Sequence, residues 1–345
     1  LRSVEPPMPA TPKTKAPALD GVAVRAEIGR DRLVALHRRM LLIRRFEEEA
    51  EKGYRAKKIA GFLHLYIGQE ALATAFYDHL IDGKDWSVTS YRCHAQALLA
   101  GEPATELMAE LHGKATGNVR GKGGSMHFFS KQHGLLGGHG IVGGQIPVGT
   151  GAAFACKYRN DGGVSVTYLG DGAAAQGTLH ESLNMASLWD LPAIYIVENN
   201  RYGMGTACHR AVSVEDIAAA KAPGYNMAHF TCDGLDLMST WKTAQQAVAL
   251  ARTNKPVLIE AKTYRYRGHS VSDAGLYRTK EEVDRYKELD PIGRVQKALQ
   301  DAGWLSEAEA EATEEEVRER IAACAKFAEE SPEPPLSDLS THVYA

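Results

Sequence analysis

A chain of 345 residues is long enough to bury roughly three quarters of its unfolded surface, and a net charge of −3 offers no basic excess to steer it onto nucleic acid. No run of about 18 apolar residues occurs, so no membrane-spanning segment is expected. The five cysteines (Cys93, Cys156, Cys208, Cys232 and Cys324) are scattered without a C-x-x-C pair. That spacing argues against a disulfide framework or a zinc site and suits a reducing compartment, a bacterial cytoplasm or, in a eukaryote, a mitochondrial matrix.

Residues 1–28 read as a mobile arm. They are rich in Pro, Ala and Lys over 1–20 and lack the apolar core of a secretory signal. A long helix follows Gly29, with Leu33, Leu36, Met40, Leu41 and Ile43 near helical spacing. From there the chain alternates. Helices are expected over 68–80 and 103–112, with a short strand at 86–91 between them. The stretch 113–151 is too dense in glycine for a long regular element, and a small-residue helix opens near Ile146 and runs to Tyr158. A strand at 164–169, a helix over 178–189, a strand at 193–198, a strand at 228–232, a helix over 241–252 and a strand at 257–263 complete the series. Strands alternating with helices imply an α/β domain over 29–275: an open parallel sheet with helices on both faces. Residues 276–345 change character. Thr279-x-x-Glu282 and Ser306-x-x-Glu309 each open a charged helix, the acidic run from Glu307 to Glu319 reads as a solvated face, and the proline-rich tail reads as extended. This part is expected to dock a partner subunit.

The chemistry concentrates at two strand ends. Gly170-Asp171-Gly172 follows one strand and Asn199-Asn200 the next, with a single helix between. A βαβ unit sets such strand ends side by side, where open parallel sheets bind ligands. A carboxylate and an amide oxygen are hard donors that suit Mg²⁺ carrying a substrate's phosphates. The flanking glycines let a diphosphate approach the backbone. The small residues Ala173, Ala174 and Ala175 suggest a helix N-terminus with N–H groups free for phosphate. Arg265, Arg267 and His269 stand together after the strand at 257–263, as an anion site or a solvated loop.

Two other glycine patterns are weaker. Gly138-His139-Gly140-Ile141-Val142-Gly143 matches a dinucleotide fingerprint, with Asp161 at a tolerable distance, but no convincing strand precedes it. Gly121-Lys122-Gly123-Gly124-Ser125 imitates a P-loop but lacks the required spacing and the hydroxyl after lysine.

Taken together, GFLHLYIGQEA (61–71), SYRCHA (90–95), GKGGSMH (121–127), GGHGIVGGQIPVGTG (137–151), LGDGAAAQG (169–177), ENNRYGMGT (198–206) and TYRYRGHSVSD (263–273) resemble the E1 alpha subunits of the 2-oxo acid dehydrogenases, the pyruvate dehydrogenase group in particular. The resemblance runs from about Asp31 to Tyr344. It implies the thiamine-diphosphate-binding fold and thiamine diphosphate with Mg²⁺ as cofactors. It further implies that Asp171, Asn200 and the Tyr202 carbonyl bind the metal. Tyr91, Arg92, Gly172, Ala173 and His269 would lie at the diphosphate, Gly140 and Val142 at the aminopyrimidine side, and Ser130 near the cofactor by a looser alignment. His64 would face the carboxylate of pyruvate, so that His64 and His269 are the candidate catalytic residues.

In this family a beta subunit supplies the glutamate that activates the cofactor ring. The resemblance therefore implies an α2β2 heterotetramer, passing an acetyl group to a lipoyl-bearing E2 partner. His64, Gln69 and the motif after the Asn pair favour pyruvate over the alternatives, a branched-chain 2-oxo acid or acetoin dehydrogenase. A nicotinamide-dependent oxidoreductase using the 138–143 loop is the distant alternative. Ala95 replaces the family's usual glycine. Ser270 matches one serine that a kinase modifies in animal relatives, whereas Leu276 and Ala207 stand where the others would be.

Overall fold

The structure is a computed structural model and describes residues 27–341, so nearly all of the expected arm lies outside the described residues. In chain order the elements are α1 (Arg30–Arg55), α2 (Glu70–Tyr77), β1 (Trp86–Ser90), α3 (His94–Ala100), α4 (Ala104–Leu111), β2 (Leu135–His139), α5 (Gln145–Arg159), β3 (Ser165–Gly170) and α6 (Gly177–Leu188). They continue with β4 (Ala193–Asn199), the small hairpin β5 (Tyr202–Gly203) and β6 (Thr206–Ala207), α7 (Cys208–Ala211), α8 (Ile217–Lys221), β7 (Ala228–Asp233), α9 (Leu237–Ala251), β8 (Val257–Lys262), α10 (Lys280–Lys287), α11 (Pro291–Asp301) and α12 (Glu307–Glu330).

Six strands form one parallel sheet in the order β2-β1-β3-β4-β8-β7. The central strands are apolar throughout because helices cover both faces. Alternate side chains go to opposite layers. Leu169, Tyr195, Val197 and Leu258 pack with Ile146 and Ala153 of α5 and with Leu179 and Leu183 of α6. Val166, Tyr168, Ile194, Ile196 and Ile259 pack with Leu72 and Phe76 of α2 and with Ala244 and Ala247 of α9. The expected three-layer α/β architecture is present.

Several boundaries differ from the sequence reading. β2 is a strand within the glycine-rich stretch, held by its pairing with β1 rather than by its own residues. No helix starts at Ala173: Gly172–Ala175 form a 3-10 turn, and α6 opens at Gly177. α9 begins a turn earlier than expected because Asp236 caps it, accepting from Met238 and Ser239 N–H. α11 has no counterpart among the expected elements, although Asp290 accepts from Ile292 N–H and Pro291 occupies its first turn. The tail is not wholly extended, for a 3-10 turn covers Leu336–Ser340 after Pro335.

The C-terminal helices share the main core. Val317, Ile321, Cys324 and Ala328 of α12 join the cluster that holds Phe46 and Leu107. Arg44 of α1 bridges the buried Glu70 at 2.6 Å and Asp290 at 2.9 Å. Ser306 makes the full reciprocal capping box with Glu309, and the acidic face of α12 is exposed as expected.

Two buried ionisable groups shape the fold. Glu110, at the end of α4, is fully buried. It accepts from the N–H groups of Val119 (3.0 Å), Gly121 (2.7 Å), Gly123 (2.8 Å) and Gly124 (3.0 Å). The stretch that imitates a P-loop thus turns its amides onto the chain's own carboxylate. A Cβ at Gly117 would come within 2.3 Å of Glu110 Oε2, so only glycine closes the loop there.

His37 of α1 is buried with Nε2 unpaired, and burial pushes its pKa down to about 4. The unfolded chain takes up this proton below about pH 6.5 while the folded chain does not, so stability falls as the pH drops from 6.5 toward 4. His37→Met is expected to remove about 2 kcal/mol of the stability lost between pH 7 and pH 5. Urea unfolding at both pH values tests this, and an unchanged pH dependence would contradict it.

Candidate active site

The strand order makes a switch between β1 and β3: the chain leaves β1 for β2 on one side and returns to β3 on the other. Ligands gather beyond the carboxyl ends of strands at such a point. The register levels those ends. Gly170 lies opposite Glu198, Ser90 opposite His139, and Asn199 opposite Lys262. Gly140, Tyr91 with Arg92, Asp171, Asn200 and the segment leading to His269 therefore emerge along one edge of the sheet.

Asp171 and Asn200 leave neighbouring strands, about 4.8 Å apart in a sheet. The two consecutive asparagines have different work. Asn199 is satisfied, donating to Glu260 at 2.7 Å and accepting from Arg201 N–H at 3.1 Å. Asn200 donates to Gln69 Oε1 at 3.2 Å, which leaves its own Oδ1 buried without a partner. Asp171 Oδ2 is buried without a partner as well, and burial raises the carboxyl pKa to about 6 despite the nearby Arg265 charge. Buried oxygens of this kind are normally hydrogen-bonded, so two unpaired ones side by side mark a ligand position. Gly172 and Gly203 face each other beside Asp171, with the position of a Cβ on Gly172 lying 3.5 Å from Gly203 Cα, an ordinary contact distance.

The second group is basic and aromatic. His64, Tyr91 and His269 form a triangle, with ring centroids 4.5 Å apart for His64–Tyr91, 5.2 Å for His64–His269 and 5.4 Å for Tyr91–His269. Arg92 is buried and donates to two carbonyls, Leu65 O at 2.5 Å and His269 O at 2.9 Å. Arg265, 1% exposed, donates to Tyr202 O at 3.1 Å and Met204 O at 3.3 Å and reaches His269 Nδ1 at 3.3 Å. Its Nε has no partner. Burial and the Arg92 charge lower its pKa to about 10. Neither guanidinium forms an ion pair among the described residues. Burial, with the charges of Arg92 and Arg265, holds both His64 and His269 well below the usual imidazole range, so both are neutral at pH 7. Two buried cations without carboxylate partners make a strongly anion-seeking site.

Most of the residues expected from the sequence converge here. Ser130 does not. It pairs with Leu135 at the amino end of β2, about 13 Å of strand from the carboxyl edge, and its hydroxyl accepts from His133 N–H. Ala173 is buried in the 3-10 turn rather than at a helix start. Gly140 and Val142 lie just past β2, and Thr178 of α6 ties the same loop through Gly143 O. The Gly138–Gly143 pattern does follow a strand, contrary to expectation. Asp161 nonetheless precedes β3, at the opposite end of the sheet, and accepts from Gly163 N–H. A dinucleotide site needs that carboxylate beyond the carboxyl end of the second strand, so the fingerprint is incomplete in space.

Residues absent from the sequence reading of the site also appear. Arg265, read only as part of a basic cluster, sits at its centre, whereas Arg267 turns away to Glu51. The Cys208 thiol lies beside the Asp171 carboxyl. Neither contact has a local sequence signal.

The profile of the dehydrogenase E1 component family matches residues 38–337. The chain belongs to that family. Its members are thiamine-diphosphate-dependent components of 2-oxo acid dehydrogenases. Similar proteins carry the name pyruvate dehydrogenase E1 component subunit alpha. The protein of Rhizobium meliloti is 48% identical over 324 residues, covering 92% of this chain and 91% of its own. That of Rickettsia felis is 46% identical over 306 residues (88% and 93%), and that of Zymomonas mobilis 45% over 336 (97% and 94%).

The family's cofactor fits the residues present. Two unpaired hard oxygens suit a divalent ion, and the uncompensated guanidiniums suit a diphosphate. Asp171, Asn200 and the second lone pair of Tyr202 O would face the cation. Arg265 Nε, Tyr91 and His269 would face the phosphates.

Proposed function

We propose that this E1 chain is the alpha subunit of a pyruvate dehydrogenase (acetyl-transferring). In this reading it binds thiamine diphosphate with Mg²⁺ and pairs with a beta subunit in an α2β2 assembly. It decarboxylates pyruvate there and hands the acetyl group to the lipoyl group of an E2 partner. The observation that carries this is the pair of buried, unpartnered oxygens, Asp171 Oδ2 and Asn200 Oδ1, at adjacent strand ends beside two buried guanidiniums. The relatives' names support pyruvate as the substrate.

Bound thiamine diphosphate would supply the carbon nucleophile and electron sink that decarboxylation of a 2-oxo acid requires. The chain's own residues hold and orient. Gln69 accepts from the Asn200 amide and so turns Oδ1 toward the cation. Arg265 holds the Tyr202 and Met204 carbonyls, and with them the hairpin loop, to the segment that follows β8. Arg92 ties the segments that carry His64 and His269 to each other through their carbonyls. His64 Nδ1, buried and unpaired, is the atom offered to the substrate carboxylate. Tyr91 packs against both imidazoles and closes the aromatic triangle.

Co-expression with a candidate beta subunit, followed by a panel of 2-oxo acids with an artificial electron acceptor, tests the substrate. Pyruvate is expected to show the highest kcat/KM. A preference for branched-chain acids would overturn the substrate assignment.

A further inference from the structure

The segment that carries His64, residues 63–67, belongs to no helix or strand, yet its backbone is tied at every residue. Leu63 O accepts from Val271 N–H at 3.0 Å, Leu65 O from Arg92, and Ile67 O from Tyr266 N–H at 3.2 Å. The intervening N–H groups go to side chains. His64 N–H donates to Ser125 Oγ at 3.2 Å and Tyr66 N–H to Glu47 Oε1 at 2.7 Å. Those two side chains are joined through a third. His94 Nδ1 lies 2.7 Å from Glu47 Oε2, and His94 Nε2 lies 2.8 Å from Ser125 Oγ.

Glu47 and His94 are fully buried and Ser125 is 5% exposed. Phe46 and Phe128 flank the imidazole, with ring centroids 6.1 and 5.2 Å away. Glu47, His94 and Ser125 come from α1, from α3 and from the loop that Glu110 secures. A buried polar chain that crosses three elements is costly unless fully satisfied. Here it ends on the backbone of one site residue.

We propose that Glu47, His94 and Ser125 are positioning residues for His64. The inference rests on the reading above, in which His64 meets the substrate carboxylate. The Glu47 carboxylate only accepts, so His94 Nδ1 carries a proton. His94 Nε2 reaches both Ser125 Oγ at 2.8 Å and Ser125 O at 3.1 Å. A hydroxyl oxygen has two lone pairs, so whichever way the proton between His94 and Ser125 Oγ lies, one lone pair is left for His64 N–H. No sheet ladder holds residues 63–67, so this hydroxyl fixes the depth at which the His64 imidazole enters the cleft, as outer partners fix metal-bound histidines.

The test uses the α2β2 holoenzyme with Ser125→Ala, Ser125→Cys, His64→Ala and the double variant Ser125→Ala/His64→Ala. Ser125→Ala is expected to leave thiamine diphosphate affinity unchanged and to lower kcat/KM for pyruvate about tenfold or more. Ser125→Cys, of similar volume and weaker hydrogen bonding, is expected to fall between; it carries the test if the alanine variant does not assemble. In the His64→Ala background, Ser125→Ala is expected to change turnover less than about twofold, because the group it positions is gone. An equal loss in both backgrounds would overturn the proposal, as would a loss of cofactor affinity matching the loss of turnover. Full turnover by His64→Ala alone would instead overturn the assignment of His64, whatever Ser125 does.

Discussion

Asp171→Ala is expected to lose metal-dependent binding of thiamine diphosphate while the chain folds and assembles. The carboxylate is buried, its Oδ2 meets no protein donor, and its desolvation raises the pKa to about 6. In the folded protein without ligand the group is therefore a burden, and its removal is not expected to lower the melting temperature. With the cation and diphosphate bound, it becomes one half of a desolvated charge contact. Removing one side of such a contact costs about 3–5 kcal/mol, or roughly two to four decades of affinity. Calorimetric titration of the α2β2 assembly with the cofactor and Mg²⁺ measures this directly. An affinity within about twofold of the parent would remove Asp171 from the metal site. Asn199→Ala is the useful contrast, because that side chain is fully engaged by Glu260 and Arg201. It should cost stability instead of affinity.

His64→Ala is expected to behave in the opposite way, keeping the cofactor and losing turnover. The imidazole touches Tyr91 and His269 but makes no side-chain hydrogen bond among the described residues, and Nδ1 is unpaired. Its loss leaves Arg92 and Arg265 in place, so the diphosphate keeps its cations. Removing one preorganised donor from a buried site lowers kcat by about 100-fold or more. Steady-state rates with pyruvate, beside a cofactor titration, separate the two effects. Turnover at the parental rate would exclude His64 from the substrate site.

The sheet was legible because its central strands are continuous apolar runs between glycine and proline stops, and the three-layer packing follows from that. Asp171 and Asn200 were legible because each comes just after such a run, and register does the rest. β2 was not, since Leu135–His139 has two glycines in five residues and no β-branched side chain; only the partner strand β1 makes it a strand. Ser130 lies opposite Leu135 at the amino end of β2, and a loose alignment carries no information about which end of a strand a loop serves. Arg265 read as one member of a basic cluster and not as its centre, because its carbonyl partners lie 61 and 63 residues away. The chain from Glu47 through His94 to Ser125 was invisible for the same reason. Its links span 47 and 31 residues, and nothing local in α1 marks Glu47 as a partner for a histidine on α3.

The carboxylate of Glu110 has a consequence for how the protein breathes. Four amides of the 119–124 loop close on one side chain of α4, so the loop cannot open residue by residue. Once one amide is released the carboxylate is partly stripped of its donors, and the remaining bonds follow. The loop and the helix therefore form a single opening unit. Amide hydrogen exchange at Val119, Gly121, Gly123 and Gly124 should be slow for a glycine-rich surface loop and should keep pace with the last turn of α4. A loop that reads as pliable from its composition is, through one buried carboxylate, expected to be among the stiffer parts of the molecule.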